Sequence, residues 1–344
     1  MTKLILCVIQ HVLCDPRRIY DLIKLNNDGS YDPCLTVAAT LDKGDFDMNK
    51  KKLENYSLTG SIHTLSVKSQ GLVEDVQESV SNCIIVSSQA KEDGRTTTSI
   101  INPNKLMGDV FKFSEFETVF DTILAGAGIS DYSIVRADMR FDNYDPEHYR
   151  EYAKLNRYLI SALAVTYSVR NCYRSTNLFS QKQLSVAVKN KYFEIENYDK
   201  EAESNGTDIA KSRLEERSKA WKDTDLRSEF VDHWFTRWDK ALKNLDVVQQ
   251  RYNDELEKIY MEGKNAYPCK FRSLTDFLIQ YQDCIFCKAQ MIDLLSRFPE
   301  VGPAKAKTRA ENHKKRYGIE YFSKKDVETA IEEVKRATVA FYDA

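Results

Sequence analysis

The chain has 344 residues, of which 42% are hydrophobic and 30% are charged, and its formal net charge is −2. This composition is that of an ordinary globular protein, and the length suits one large domain or two of usual size. A near-neutral chain has no global basic field, so any nucleic-acid partner must meet a local patch. No stretch approaches the roughly 20 apolar residues of a membrane span, and we expect a cytoplasmic protein.

Eight cysteines are scattered along the chain, with one Cys-x-x-Cys pair at Cys284 and Cys287. Disulfide frameworks are typical of shorter secreted chains, so we expect reduced intracellular thiols. The pair lies among apolar residues at helical spacing, which favours buried helix thiols over a zinc site.

The N-terminal two thirds predict a mixture of strands and helices. The apolar run of the first residues is interrupted by Gln10 and His11, which favours a strand or short helix over a signal peptide. A helix over 114–128 is predicted from Ser114 as N-cap, with Glu117 at capping-box spacing. Apolar and polar residues alternate as in strands over 34–43, 61–69 and 81–89, and again after a turn at Asp93-Gly94.

The stretch YSIVRADMRFDNYD, residues 132–145, predicts a half-buried strand that carries carboxylates inside its apolar pattern. Asp138 and Asp142 share one face of such a strand, about 13 Å apart. A carboxylate at a core-facing position is costly unless something offsets it, so Asp138 is a candidate functional residue. Asp142 either supports it or opens a turn with Asn143.

A helix is predicted to follow, with Asp145 as N-cap and Pro146 at its first position. Residues 182–203 predict a hairpin that turns near Asn190. From about residue 210 the pattern predicts helices, beginning with KSRLEERSKAWK. The sequence thus predicts an α+β fold that is followed by a mostly helical C-terminal region.

Short motifs in one order resemble the Rep-trans family, the rolling-circle replication initiators of plasmids from Gram-positive bacteria. Filamentous-phage replication proteins share a looser version of the pattern. The resemblance covers roughly residues 31–240. The motifs are Asn102-Pro103-Asn104-Lys105-Leu106, Arg136-x-Asp138-x-x-Phe141-Asp142, Tyr198-Asp199-Lys200-x-x-Glu203 and Arg213-x-Glu215-x-x-x-Lys219.

The resemblance implies a catalytic domain over 31–240, between an extension over 1–30 and a helical region over 241–344. Its expected fold is a central antiparallel sheet flanked by helices. Its expected activity is nicking of one DNA strand, after which the protein stays bound to the 5′ phosphate through a tyrosine. The expected cofactor is Mg²⁺ or Mn²⁺, which hard oxygen ligands suit.

Site residues follow from the matching positions. The resemblance implies that Tyr198 is the nucleophile, with Lys200 beside it. A free phenol has a pKa of about 10, so a cation is expected to stabilise the charge that develops on it. The predicted metal ligands are Asp138 and Glu215, with Asp142 as a further candidate; the five histidines contain no paired-histidine motif, and the third ligand stays open. The residues predicted to contact the DNA backbone are Arg136, Arg213 and Lys219.

The segment 304–325 carries eight basic and two acidic residues, with aromatic residues between them. Two helices that join near Gly318 would suit a helix-turn-helix or winged-helix element, and a solvated basic helix face is the alternative. The predicted DNA contacts here are Lys307, Arg309, Lys314, Lys315 and Arg316.

The expected partner is origin DNA, as a duplex or cruciform and as a single strand at the nick. The resemblance also suggests a host helicase and a homodimer, and no membrane partner. Three other functions stay open: a relaxase of a conjugative element with the same chemistry, a phage or plasmid DNA-binding protein without catalysis, and a helical interaction protein whose motif matches are coincidental.

Overall fold

The computed structural model describes residues 57–70, 77–81, 84–91, 94–103, 107, 111–126, 132–167, 186–206, 210–219 and 225–343. The predicted extension over 1–30, the predicted strand over 34–43 and residues 104–106 of the first motif lie outside these ranges.

Within these ranges, eight strands form one antiparallel sheet, in the order β2-β3-β4-β1-β5-β8-β7-β6. The predicted α+β fold with a central antiparallel sheet is therefore confirmed. Two of the predicted hairpins are present as the pairs β3–β4 and β6–β7. The strands are β1 Thr59–Gln70, β2 Gln77–Ser81, β3 Ile84–Lys91, β4 Gly94–Ile101, β5 Tyr132–Asn143, β6 Val186–Lys189, β7 Phe193–Asp199 and β8 Ser212–Ser218.

The described part of the chain also contains nine α-helices, one π-helical turn and one 3₁₀ turn, and the C-terminal region is mostly helical as predicted. None of these helices is long and apolar enough to cross a membrane. The helices are α1 Phe113–Gly126, α2 Tyr149–Thr166, α3 Lys200–Glu203, the π-helix Ser228–His233, α4 Trp234–Leu242, α5 Leu245–Asn265, α6 Leu274–Gln280, the 3₁₀ turn Gln282–Cys284, α7 Lys288–Arg297, α8 Gly302–Tyr317 and α9 Lys324–Tyr342.

The central strands have one apolar and one charged face. On β5, Ala137, Met139 and Phe141 are fully buried and alternate with charged residues. Because successive side chains of a strand point to opposite faces, the helices cover the apolar face and the charges collect on the other. The side chains of Trp234 and Trp238 are 0% exposed and belong to the core beneath β8.

Helix α2 joins the sheet to the helical region. Every residue from 152 to 164 is buried, which a helix tolerates only when it is surrounded by protein. Its polar side chains therefore have internal partners. The amide of Asn156 donates to Asn197 Oδ1 on β7 at 2.7 Å, and the Lys154 ammonium donates to the Glu320 carbonyl at 2.8 Å.

The last helix packs against the first described strand. Helix α9 begins with a capping box, in which Ser323 and Asp326 exchange hydrogen bonds with each other's backbone. A Cβ atom on Gly60 of β1 would lie only 2.9 Å from the Ala337 carbonyl oxygen of α9. Glycine at this position thus permits a close backbone approach between the two elements.

One prediction of secondary structure was wrong in type. The segment SRLEERS, predicted to begin a helix, is strand β8, which pairs with β5 and β7 on its two sides. Strongly helix-forming residues occupy it, but the pairing to two neighbouring strands overrides their local preference.

Three helix boundaries also differ from prediction. Helix α1 starts at Phe113, so Ser114 lies in its first turn, and the Glu115 carboxylate accepts from the Lys112 amide instead. Residues 146–148 form a turn before α2, in which Asp145 Oδ1 accepts from two backbone amides. The helix predicted around Cys284 and Cys287 is divided, because both cysteines lie between α6 and α7.

Candidate active site

A cleft of about 700 Å³ lies over the charged face of the sheet. Strands β1, β5, β7 and β8 supply its floor, and the start of α2 together with α3 borders it. These strands are adjacent in the sheet but come from distant parts of the sequence. The cleft therefore collects side chains from three of the four sequence motifs.

Tyr198 lies in this cleft near the end of β7. Its hydroxyl donates to Glu215 Oε2 at 3.3 Å, and Arg213 is its direct cross-strand neighbour on β8. Burial, followed by the negative charge of Glu215, raises the pKa of Tyr198 above its ordinary value of 10.0, while Arg213 acts in the opposite direction. The phenol is thus held between an acceptor for its proton and a cation.

Asp138 and Glu215, the two predicted metal ligands at strand positions, both line the cleft and are 1% and 2% exposed. Burial raises the pKa of Asp138 from 3.8 to about 6, although the hydrogen bonds from Arg136 act against it. Burial also opposes the charge of Glu215, but Arg217 outweighs it and holds the pKa of Glu215 below its ordinary value. Asp138 forms a bidentate pair with Arg136, in which Arg136 Nε donates to Oδ1 at 2.7 Å.

Arg217 is a residue of this site that the motifs did not identify. It lies on β8 two residues beyond Glu215, and its Nη2 is 2.9 Å from Glu215 Oε2. Its guanidinium also contacts Glu194 at 2.8 Å and Glu196 at 3.0 Å, both on β7. The chain alone gives no signal for this role, because it depends on which strands lie beside β8.

Asp142 is turned toward a different partner. It is 2% exposed and accepts two hydrogen bonds from Arg213, at 2.6 and 2.9 Å. Arg140 Nη1 lies 3.4 Å from the same carboxylate. Asp142 therefore holds Arg213 under the tyrosine, and Arg213, which is 1% exposed, lies below the surface that a DNA backbone would touch.

His63 is a cleft residue that sequence reasoning did not select. A bulge in β1 between Ile62 and Thr64 brings both His63 and Thr64 to the cleft, opposite β5. Burial lowers the pKa of His63 from 6.5 to about 4. Its imidazole is thus neutral near pH 7, which is the form that binds a metal ion.

Lys200 and Lys219, two further predicted residues, lie near opposite ends of β7. Lys200 begins α3 beside the tyrosine, with its ammonium 2.5 Å from Glu203 Oε2 and 5.9 Å from the centre of the Tyr198 ring. Lys219 forms an ion pair with Glu194 at the other end of β7. Asp199 caps α3 by accepting from the Ala202 amide at 2.9 Å, which fixes the turn that follows the tyrosine.

The carboxylate oxygens of Asp138 and Glu215 suit a hard cation, whereas the neutral nitrogen of His63 is a softer donor, typical of transition-metal sites. Within the described ranges, however, no three His, Cys, Asp or Glu side chains converge as a metal site. The space between the carboxylates is taken by the guanidinium of Arg217. The residue types of Asp138 and Glu215 therefore suit Mg²⁺ or Mn²⁺, but in this structure the guanidinium of Arg217 is the positive group between them.

The predicted DNA contacts of the C-terminal region all lie on helix α8, and all are exposed. Arg309 and Arg316 share one side with Lys305 and line a groove of about 500 Å³. Within the described part of the chain, the basic residues of α8 form no ion pair. Lys314 and Arg316 instead lie over the rings of Tyr321 and Tyr317, at 5.6 and 5.5 Å.

The fold and the site define a protein with a charged cleft on an antiparallel sheet, in which a tyrosine is hydrogen-bonded to a buried carboxylate. No family model matches the chain, and no curated protein is similar to it at a significant level.

Proposed function

We propose that this protein is a metal-dependent DNA nicking and joining enzyme that initiates rolling-circle replication. The observation that carries the proposal is the contact between the Tyr198 hydroxyl and Glu215 in a cleft that also holds Asp138. The motif order led to these three residues, and they lie together although the chain separates them by up to 77 positions.

In the proposed reaction, the oxygen of Tyr198 attacks a backbone phosphorus of origin DNA. The new tyrosine–phosphorus bond replaces the bond to the 3′ oxygen, which leaves as a hydroxyl after it accepts a proton from water. Glu215 orients the phenol, because its Oε2 receives the hydrogen bond of the hydroxyl at 3.3 Å, and the phenol proton passes to water as the bond to phosphorus forms. Joining is the reverse reaction, with the 3′ hydroxyl as nucleophile.

Arg213 holds the tyrosine for this attack. Its guanidinium is fixed by Asp142 and faces the phenol oxygen, so it stabilises negative charge there. A bound Mg²⁺ or Mn²⁺ would supply charge stabilisation at the phosphate. Asp138 and Glu215 would hold it, with His63 as the proposed third ligand.

Helix α8 is proposed to bind the DNA backbone at a position distant from the nick. Its basic residues are exposed and without acidic partners in the described structure, which is the state that favours phosphate contacts. Such binding releases counterions and weakens strongly as the salt concentration rises.

The test uses a supercoiled plasmid that carries the chain's own replicon, with Mg²⁺ or Mn²⁺. We expect an open circle with protein attached to the 5′ end, and no product with Tyr198→Phe. Tyr192→Phe is the matched control, because Tyr192 is 54% exposed at the opposite end of β7. A plasmid that stays intact both with Mg²⁺ and with Mn²⁺ would refute the proposal.

The second candidate is a DNA-binding protein of this fold without catalysis. Its support is that arginines already pair with Asp138 and Glu215 in the cleft, while the cations of α8 form no ion pair in the described structure and can bind phosphate. Salt-sensitive binding to the replicon, without nicking by the wild-type protein, would favour this function.

A further inference from the structure

Arg217 lies among four carboxylates. Its guanidinium contacts Glu194, Glu196 and Glu215 within 3.0 Å, and its Nε lies 3.9 Å from Asp138 Oδ2. Two further cations pair directly with members of this group: Arg136 binds Asp138, and Lys219 binds Glu194. Three cations thus neutralise four carboxylates, so the group retains a negative charge.

The hydrogen bonding of Arg217 is incomplete on the side of Asp138. Its Nε atom is buried and has no hydrogen-bond partner, although both terminal nitrogens are engaged by glutamates. A distance of 3.9 Å to Asp138 allows electrostatic attraction but no hydrogen bond. The contact between Arg217 and Asp138 is therefore the weakest of the four.

We propose that Arg217 is a displaceable substitute for the divalent cation, and that Mg²⁺ or Mn²⁺ binds by expelling its guanidinium from between Asp138 and Glu215. This inference rests on the proposed function only in assigning a divalent cation to these two residues. Exchange of one positive charge for two removes the excess negative charge of the group. No covalent bond changes.

The displaced side chain of Arg217 would be able to contact a bound nucleic acid. Arg217 is 18% exposed, so its long side chain can turn outward from the floor of the cleft. There its planar guanidinium would face the backbone of a bound nucleic acid, for which arginine is well suited. Metal binding would thus provide a phosphate contact that the metal-free protein withholds.

The test measures binding of Mn²⁺ alone, without DNA, from the loss of the free-ion signal in electron paramagnetic resonance. We expect Arg217→Gln to bind Mn²⁺ at least tenfold more tightly than the wild type. Lys219→Gln is the matched control, because it removes the same charge from the same group but contacts Glu194 only. We expect it to change the affinity less than threefold.

Equal affinity of Arg217→Gln and the wild type, or an equal gain in both variants, would overturn the proposal. If Arg217→Gln does not fold, Arg217→Lys serves, since one ammonium cannot span four carboxylates, and we expect an intermediate gain. A tighter Mn²⁺ site in a protein that leaves plasmids intact would sustain the exchange and refute nicking. Nicking by the wild type, with no gain in Mn²⁺ affinity in Arg217→Gln, would refute the exchange and sustain the nicking function.

Discussion

Replacing Glu216 with glutamine should stabilise the protein increasingly as the pH rises. Glu216 is on β8, with its side chain on the helix-covered face, and it is 1% exposed. Its Oε1 accepts from Trp238 Nε1 at 2.7 Å. A glutamine has the same shape and can accept the same hydrogen bond, so the substitution removes the ionisable group and little else.

The magnitude follows from proton binding. Burial raises the pKa of Glu216 from 4.5 to about 8, although Trp238 and Arg237 act against it. Between these values the folded chain holds a proton that the unfolded chain has lost, so the wild type loses stability as the pH rises. Each pH unit costs about 1.4 kcal/mol, and the advantage of Glu216→Gln should grow by about 3 kcal/mol between pH 5 and 7.5.

The assay is urea unfolding at several pH values, followed by the fluorescence of the three tryptophans, of which Trp238 contacts Glu216. Glu262→Gln is the control, because Glu262 is exposed on α5. Its difference from the wild type should be independent of pH. A constant difference for Glu216→Gln over the same range would show that the buried carboxyl is not protonated, and would refute the reasoning.

Other substitutions test the cleft and its supports. Asp142→Ala removes the carboxylate that neutralises the buried Arg213, and should lower the free energy of unfolding in urea by about 3–5 kcal/mol; a smaller loss in the double variant Asp142→Asn/Arg213→Gln would identify the uncompensated charge as the cause. Gly263→Ala places a Cβ 2.2 Å from the Phe271 ring and should cost about 1–3 kcal/mol in the same assay, whereas unchanged stability would refute the clash. Asp138→Ala should abolish plasmid nicking but keep duplex binding, and surviving activity would exclude it as a metal ligand.

The strand that carries Asp138 could be predicted because its pattern is local. Ala137, Met139 and Phe141 alternate with charged residues, and this period of two is visible in the chain itself. Helix α1 and the β3–β4 hairpin could also be predicted from local patterns. The starts of α1 and α2 were predicted less accurately, since Ser114 and Asp145 are suitable caps that the folded chain uses differently.

Strand β8 could not be predicted from its own residues. Arg213, Glu215 and Arg217 favour a helix or a solvated surface when they are considered locally. In the sheet they lie opposite Asp142, Arg140 and Asp138 on β5, so charges of opposite sign offset one another across all three pairs. Burial of so many charges depends on partners about 70 residues away in the chain.

The cleft shows the same limit. The ordered motifs identified Asp138, Tyr198 and Glu215, which the sheet brings together. His63 enters only through a bulge, and no sequence pattern marks that irregularity. Arg217 enters through pairing with two neighbouring strands. A residue whose role depends on its neighbours in space has no signature in a single chain.

The close approach of Gly60 to the Ala337 carbonyl also bears on how the protein is made. The strand that carries His63 is synthesised before the helix that covers it, because α9 follows it in the chain. Until α9 has been made, the apolar side of that strand lacks this cover. A nascent chain that already carries the tyrosine of β7 would thus hold it on an incompletely packed sheet, so the proposed cleavage of DNA would await synthesis of α9.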